Sequence, residues 1–183
     1  RATAVTNESE LREYYDLHRI TMRRHGSPCH PYRFFEELWS VFSSLGAIRI
    51  LLGRMGHKAI AGAIFLSHNG RIQYWSSVSL DEARHTNAGN LILWEALMEG
   101  RRGGYHSLDM GRTRPGTGVD LFKRGWGGKP IELDHLYYSP DHINVHPPDP
   151  RRLRYRVMSL VWKRVPTLFA QVVDPRVMAD IAL

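Results

Sequence analysis

Three charged side chains in the second half of the chain have the types and spacing expected of a group-transfer site. Asp109 stands in the apolar run LDM, where a buried carboxylate needs a partner, and Arg112 follows three residues later. Lys123 stands in FKRGWG between Phe122 and Trp126, and a partly desolvated lysine stabilises a developing oxyanion or a phosphate. We interpret Asp109 and Lys123 as candidate catalytic residues, with Arg112 holding an anionic group of a substrate.

These side chains also have structural interpretations, which the sequence leaves open. Asp109 and Arg112 could form an ion pair that stiffens the end of a strand. A lysine on a short helix more commonly faces solvent, and Lys123 could do the same.

Further candidate residues lie in the loop 84–90, between a strand and a helix. Gly89 lets the backbone approach a ligand closely, and Asn87 is a suitable N-cap. The free N–H groups of a helix N-terminus attract phosphate or carboxylate, and Arg84 and His85 add positive charge. We expect a tyrosine and a serine of the preceding strand to face the same cleft. The predicted substrate-binding residues are therefore Arg112, Tyr74, Ser76, Trp126, Arg84, Asn87 and Gly89.

Other reaction classes lack their usual sequence patterns. The segment GRTRPGTG has no Lys-Ser/Thr ending of a phosphate-binding loop, and no Gly-x-Ser-x-Gly is present. His142 and His146 are four residues apart, but Pro147 disfavours a helical metal-binding face. Cys29 is the single cysteine, so there is no disulfide framework and no cysteine-rich metal site. We predict neither a metal nor a permanently bound cofactor.

The elements that must position these residues predict an α+β domain. Asn7 and Glu10 have capping-box spacing and begin a helix that ends near His25. A second helix spans residues 32–44, with a core-facing stripe. That stripe consists of Phe35, Leu38, Trp39 and Phe42.

The middle of the chain predicts a mostly antiparallel sheet with one parallel crossover. Strand-like runs at residues 47–52, 59–67 and 71–79 form a meander, in which Asn69-Gly70 is a strong hairpin signal. A helix starting near Thr86 or Asn87 then leads to a parallel strand at residues 106–110. We expect this helix to bury Leu91, Trp94 and either Leu97 or Met98. A short helix over residues 116–123 and a last strand over residues 131–138 complete the predicted order.

The net charge of +7 is concentrated at the end of the chain. Residues 151–183 contain seven basic residues against Asp174 and Asp180, whereas residues 1–150 are close to neutral. This distribution argues against a domain built to lie along a nucleic-acid duplex. We predict a domain over residues 1–140, and a Pro-rich linker with a basic amphipathic helical tail over residues 141–183.

No apolar run has the length of a transmembrane helix, and no signal peptide is visible. With a single cysteine, this predicts a cytoplasmic protein. The tail would either pack on the domain or contact phosphates, a partner or the anionic inner face of a membrane.

The order of elements resembles the GNAT acyltransferase fold, in which a loop at a helix N-terminus and a splayed next strand bind acyl-carrier phosphates. The segments RHGSP, NAGNLILWEAL, LDMGR and LFKRGWG resemble FemAB-related proteins. Those proteins group with peptidoglycan-bridge aminoacyltransferases and with relatives associated with exopolysaccharide and PEP-CTERM systems. The resemblance covers roughly residues 15–140.

The resemblance implies transfer of an acyl or aminoacyl group from acyl-CoA or aminoacyl-tRNA to a small-molecule or lipid-linked amine. A lysine in an FK-type motif acts at the transfer site of bridge-forming enzymes, which corresponds to Lys123, while Asp109 and Arg112 match a DxGR segment. FemAB relatives generally contain two such lobes, and this chain resembles the second. Two other functions stay open: a catalytically silent lobe that binds a lipid- or sugar-linked acceptor at a membrane, and a tRNA-binding module.

Overall fold

The computed structural model describes residues 1–134, residue 136 and residues 153–164, with side chains in the last range from residue 157 onward. Its strands form one five-stranded sheet in chain order. The strands are β1 (Ala2–Ala4), β2 (Ile48–Met55), β3 (Lys58–His68), β4 (Arg71–Ser79) and β5 (Ser107–Asp109). All neighbours are antiparallel except β4 and β5. The predicted mixed, mostly antiparallel sheet is thereby confirmed, and β1 is a short addition that the sequence did not indicate.

The helices lie close to their predicted positions. They are α1 (Glu8–His25), α2 (Tyr32–Ser44), α3 (Ala88–Arg102), α4 (Gly118–Gly125) and α5 (Leu153–Arg164). At the start of α1, Asn7 Oδ1 accepts the Glu10 N–H at 3.0 Å, and Glu10 Oε2 accepts the Thr6 N–H at 2.8 Å. The helix ends at Gly26, whose φ of 69° is left-handed. Both predicted boundaries of α1 are therefore confirmed.

The sheet separates two apolar clusters because successive strand residues point to opposite faces. On one face, α1 and α2 pack Tyr14 and Phe35 against Ile64. On the other face, α3 packs Ile92 against Phe65. The sheet is thus held on both sides, which fixes the strands that carry the candidate residues.

The buried face of α3 differs from the prediction. Trp94 is 51% exposed, and the buried residues are instead Ile92, Leu93, Ala96 and Gly100. A Cβ added at Gly53 of β2 would lie 3.2 Å from both Ala88 Cβ and Ile92 Cδ1, and one at Gly100 would lie 2.5 Å from Ile72 Cδ1. Gly53 on the strand and the small residues Ala88 and Gly100 on the helix therefore let the two elements approach closely, so that the helix buries Ile92 and Leu93 instead of Trp94.

Two other predictions are corrected in part. Leu38 and Trp39 of α2 pack against the core cluster with Phe35, but Phe42 is not part of it. Residues 131–134 form no strand, and Ile131 is 83% exposed; the remainder of the predicted last strand, apart from residue 136, lies outside the described residues. Without this strand, β5 is the edge of the described sheet.

The tail helix is present as α5, and Ser159 Oγ donates to the His25 carbonyl oxygen at 3.2 Å. The domain division at residue 140 and the membrane contact of the tail stay predictions, since most of the residues concerned lie outside the described ranges. No helix in the described residues combines the length and apolarity needed to cross a membrane.

A buried histidine gives the fold a testable acid sensitivity. His18 is 4% exposed, and its ring lies 4.8 Å from that of Phe35. Neither ring nitrogen has a hydrogen-bond partner within the described residues. Burial, with a smaller contribution from His30, lowers the pKa of His18 to about 4. The folded state therefore resists protonation of this ring.

We predict that His18 makes the protein lose stability as the pH falls from about 6.5 to about 4. In that window the unfolded chain binds a proton that the folded chain does not, so the free energy of unfolding decreases, by about 3 kcal/mol in total. Urea denaturation at several pH values measures this slope. The His18→Leu variant should have a flatter pH profile, whereas identical profiles would contradict the assignment.

Candidate active site

Strands β4 and β5 pair over only three residues and then separate. Their ladder joins Arg71 to Ser107, Ile72 to Leu108 and Gln73 to Asp109. Beyond Gln73, β4 continues beside β3 to Ser79, but its other edge has no strand partner within the described residues. Backbone N–H and C=O groups on such an edge can pair with an extended ligand. The separation therefore leaves the edge of β4 beyond Gln73 open toward the gap between the two strands.

A β-bulge lies at the start of this open edge. Phe65 pairs with Tyr74 and Ile64 with Ser76, so that Trp75 is the extra residue. The Tyr74 ring stacks on Phe65 at 5.2 Å on the α3 side, whereas Ser76 Oγ accepts from the Tyr14 hydroxyl at 3.0 Å on the α1 side. Strict alternation would have put Tyr74 and Ser76 on one face, but the bulge redirects one of them.

A cleft of about 360 Å³ occupies the gap between β4, the segment after β5 and α4. Four of the predicted residues line it, namely Tyr74, Ser76, Arg112 and Lys123. Apolar side chains that were not predicted as binding residues form the rest of its wall, among them Met110, Val119 and Phe122. The lining residues are Tyr74, Trp75, Ser76, Ser77, Met110, Gly111, Arg112, Gly118, Val119, Phe122 and Lys123. Asp109, Trp126, Arg84, Asn87 and Gly89 are not among them.

Lys123 connects α4 to the segment that leaves β5. Its Nζ donates to the carbonyl oxygens of Gly111 at 2.8 Å and Arg112 at 2.9 Å. An ammonium has three N–H donors, so one remains for the cleft. Desolvation lowers the pKa of Lys123, against the opposing charges of Asp109 and Asp120. Lys123 is thus the partly desolvated cation that its aromatic neighbours suggested.

Asp109 differs from its predicted environment. The side chain is exposed, and it forms no ion pair with Arg112 within the described residues. Asp109 Oδ1 instead accepts the Gly111 N–H at 2.7 Å, and Gly111 has a φ of 70°. A carboxylate that closes a turn two residues ahead is a common role of aspartate. Asp109 therefore positions Gly111. The ion pair with Arg112, one of the two interpretations that the sequence left open, is not found in the described residues, and the catalytic role of Asp109 stays a prediction.

Trp126 packs against the apolar cluster on the α3 side of the sheet and is not among the residues that line the cleft. Its Nε1 donates to Asn90 Oδ1 at 3.1 Å, which joins the end of α4 to the first turn of α3. The position of Trp126 supports the cleft wall and does not bring its ring to the cleft lining.

Most of the predicted loop 84–90 is helical in the structure, because a 3-10 helix and the start of α3 cover all of it except Asn87. A 3-10 helix covers Asp81–Thr86, and Arg84 in it pairs with Asp81 at 2.8 Å. Asn87 is left-handed with a φ of 54°, and its side chain does not cap α3. Gly89 already belongs to the first turn of α3. These three residues therefore surround a helix N-terminus, at the end of β4 beyond the cleft.

The first turn of α3 has free donors. The Ala88 N–H bonds to Thr86 Oγ1 and the Leu91 N–H to the Asn87 carbonyl, but the N–H groups of Gly89 and Asn90 have no hydrogen-bond partner within the described residues. A Cβ added at Gly89 would find no atom within 4 Å. The turn can therefore accept an anion at close range.

Comparisons with known proteins identify a family model and several solved structures that are similar to this chain. The family model described as acetyltransferase (GNAT) domain matches residues 1–124. AAC(6')-Iy in complex with a CoA bisubstrate analogue has a TM-score of 0.63 at 13% identity, with 76% of this chain and 97% of that chain covered. AAC(6')-Ih from Acinetobacter baumannii has a TM-score of 0.60 at 13% identity, with the same coverage.

A third similar structure is the aminoglycoside acetyltransferase meta-AAC0020 from an uncultured soil metagenomic sample, in complex with sisomicin. Its TM-score is 0.61 at 9% identity, and the comparison covers 76% of this chain and 95% of that chain. At such identities the likeness shows a shared fold. The search of curated proteins finds no match.

We predict that the Asp109→Ala and Asp109→Asn variants differ because only the second keeps an acceptor for the Gly111 N–H. Alanine should lower the free energy of unfolding by about 1 kcal/mol, and asparagine by less. Urea denaturation measures both, and the group-transfer rate should follow the same order. If Asp109→Asn instead abolishes the group-transfer rate as fully as Asp109→Ala, the result would support the proton-accepting role predicted from the sequence.

Proposed function

The chain belongs to the acetyltransferase (GNAT) domain family, and from that premise we propose that it transfers an acyl group from acyl-CoA to an amine. The observation that carries the proposal is the open edge of β4 at a cleft that also contains Lys123. An extended donor could pair with that edge while its reactive carbonyl lies beside the lysine.

The choice of CoA as donor rests on the free donors of α3 and on similar enzymes. AAC(6')-Iy has been solved both with CoA and with a CoA-derived analogue. In this chain the N–H groups of Gly89 and Asn90 would bind the donor diphosphate, and the helix dipole favours negative charge there. The pantetheine arm would then run along β4 from Val78 toward Tyr74, because Thr21 and Arg24 already bind the backbone groups of Ser79.

The reaction at the cleft is attack of the amine nitrogen on the thioester carbonyl carbon. A C–N bond forms, the carbonyl oxygen becomes an oxyanion, and the C–S bond then breaks to release CoA thiolate. The third N–H of Lys123 and an N–H of the β4 edge can stabilise the oxyanion. The amine loses its proton to water, or to Asp109 if the aspartate acts as predicted from the sequence.

Tyr74 is suited to return a proton to the leaving thiolate. The residue lines the cleft, and desolvation raises the pKa of its phenol above the ordinary value. The hydroxyl therefore keeps its proton at neutral pH. Donation from Tyr74 would yield CoA thiol, and the phenolate would regain a proton from water. The new amide is neutral because the amine has lost its proton.

A second candidate is aminoacyl transfer from aminoacyl-tRNA in cell-wall or exopolysaccharide metabolism, as the resemblance to FemAB-related proteins implies. The motif LFKRGWG favours it, because its lysine lies in the cleft. The same cleft chemistry would serve either donor. Release of free tRNA from aminoacyl-tRNA in the presence of an amine, with no turnover of acyl-CoA, would favour this candidate.

We predict that acetyl-CoA is consumed in the presence of amines and that Lys123→Met lowers kcat by about 100-fold, the usual cost of losing one oxyanion donor. Release of CoA thiol measures the rate. Lys129→Met is the matched control, because Lys129 is exposed and does not line the cleft. Equal rates for the two variants and the unaltered protein would contradict the role of Lys123, and the absence of any acetyl-CoA turnover would contradict the proposed function.

We predict that Gly89→Ala weakens donor binding without weakening the fold. The added methyl enters open space and increases helix propensity, so the free energy of unfolding should stay equal or rise by up to about 1 kcal/mol. The same methyl should obstruct the approach of a diphosphate and raise the Kd for acetyl-CoA about tenfold. Calorimetric titration measures the Kd.

Gly125→Ala is the matched control for this experiment. Gly125 also lies in a helix with open space around its Cβ position, but it belongs to α4 and does not line the cleft. An unchanged Kd in Gly89→Ala would place the donor phosphates elsewhere.

A further inference from the structure

The charges of the cleft indicate what kind of amine it accepts. Resting on the proposed function, we propose that the acceptor carries an anionic group, a carboxylate or a phosphate, which Arg112 binds at the cleft. Arg112 is then the residue that determines acceptor specificity.

The first observation is the sign of the charges on the cleft wall. Arg112 and Lys123 line it, and none of the lining residues is a carboxylate. Because two cations in one confined cleft attract anions and repel cations, the field favours an acceptor with negative charge near its amine. An amine without an anionic group would gain no binding energy from this field.

The second observation concerns the nearest carboxylates, Asp109 and Asp120, neither of which lines the cleft. Asp109 Oδ1 accepts the Gly111 N–H at 2.7 Å. Asp120 is buried, and its two oxygens accept from the Gly116 N–H and from Arg124 Nε, both at 3.0 Å. An incoming polycation therefore finds no carboxylate in the cleft lining, and the charge of Asp120 is paired with Arg124.

The third observation is the way in which Arg112 is held. Lys123 Nζ binds its carbonyl oxygen at 2.9 Å and so fixes the main chain. The side chain is exposed and forms no ion pair within the described residues. A guanidinium on a fixed backbone can bind a carboxylate or phosphate through two parallel hydrogen bonds.

This anion site is separate from the proposed donor site. The donor phosphates would bind the first turn of α3, and none of residues 84–90 lines the cleft. Arg112 follows β5, on the opposite wall from β4. An anion at Arg112 therefore belongs to the acceptor.

The proposed acceptor differs in charge from the substrates of similar enzymes with the same fold. Three of the structures named above are aminoglycoside acetyltransferases, one of them in complex with sisomicin. Aminoglycosides carry several ammonium groups, and the cations at this cleft would repel them. The shared fold therefore need not bring a shared acceptor.

The test compares pairs of amines that differ in one anionic group, at equal concentrations of free amine with acetyl-CoA as donor. β-Alanine is paired with β-alaninamide, phosphoethanolamine with ethanolamine, and sisomicin serves as the polycation. We expect the anionic member of at least one pair to have a kcat/KM about 10- to 100-fold higher, the range for a charge-assisted contact. The pair with the larger ratio identifies carboxylate or phosphate.

Arg112→Gln should abolish this preference while the KM for acetyl-CoA stays unchanged, and Arg112→Lys should keep part of it. Arg114→Gln is the matched control, because Arg114 is exposed two residues further along and does not line the cleft. Equal kcat/KM within both pairs, a preference for sisomicin, or a rise only in the KM for acetyl-CoA would overturn the inference and leave the proposed function intact.

A complete lack of turnover would count against the proposed function, and binding then decides the inference. Thermal shift with the same amines provides that measurement. An anionic amine that stabilises the unaltered protein but not Arg112→Gln supports the anion site. Equal shifts for the two proteins, or none, overturn it.

Discussion

The turn at Gly111 is the constraint on which the cleft depends. An exposed strand edge tends to pair with whatever backbone it meets, so two parallel strands that begin a ladder would ordinarily extend it. Here the left-handed Gly111 leads the chain away from β4 immediately after Asp109. The Asp109 carboxylate binds the amide of this turn, and Lys123 binds the carbonyl oxygens of Gly111 and Arg112. Three backbone groups of the departing segment are thereby satisfied without β4, and the ladder between the strands ends at Asp109.

An open edge is useful for chemistry only if the strand that carries it is held in place. The far end of β4 is fixed by α1, since the Ser79 N–H donates to Thr21 Oγ1 at 3.2 Å and Arg24 Nη1 donates to the Ser79 carbonyl oxygen at 2.9 Å. The bulge is fixed by Tyr14, whose hydroxyl reaches Ser76. Helix α1 therefore supports both ends of the open half of β4 from one face. This arrangement occupies the edge groups of Ser79, leaves the edge free between Tyr74 and Val78 and keeps its geometry fixed, which is the requirement for orienting a reactive carbonyl.

The features that the sequence predicts well are local ones. The cap at Asn7, the hairpin at Asn69-Gly70 and the desolvated Lys123 each follow from a few adjacent residues, and all are present. The bulge at Trp75 was not predictable, because register depends on both strands. Nor was the buried face of α3, which small residues set by close contact with the sheet. Asp109 was misjudged for a related reason: LDM looks like buried strand, but the sheet ends there, and only the Asp-x-Gly spacing gave a local signal for the turn.

The net charge of the chain is a poor guide to its chemistry. Most of the +7 belongs to residues 151–183, and charges in water act over only about 8 Å at physiological ionic strength. Of the two cations that line the cleft, Lys123 is partly out of water, where the same charge has a larger effect. Lys123 donates two of its three N–H groups to the turn; in the proposed reaction the third would serve the reacting carbonyl, while Arg112 would bind the acceptor. The lysine that binds the turn after β5 is therefore the same residue that we propose acts in the reaction.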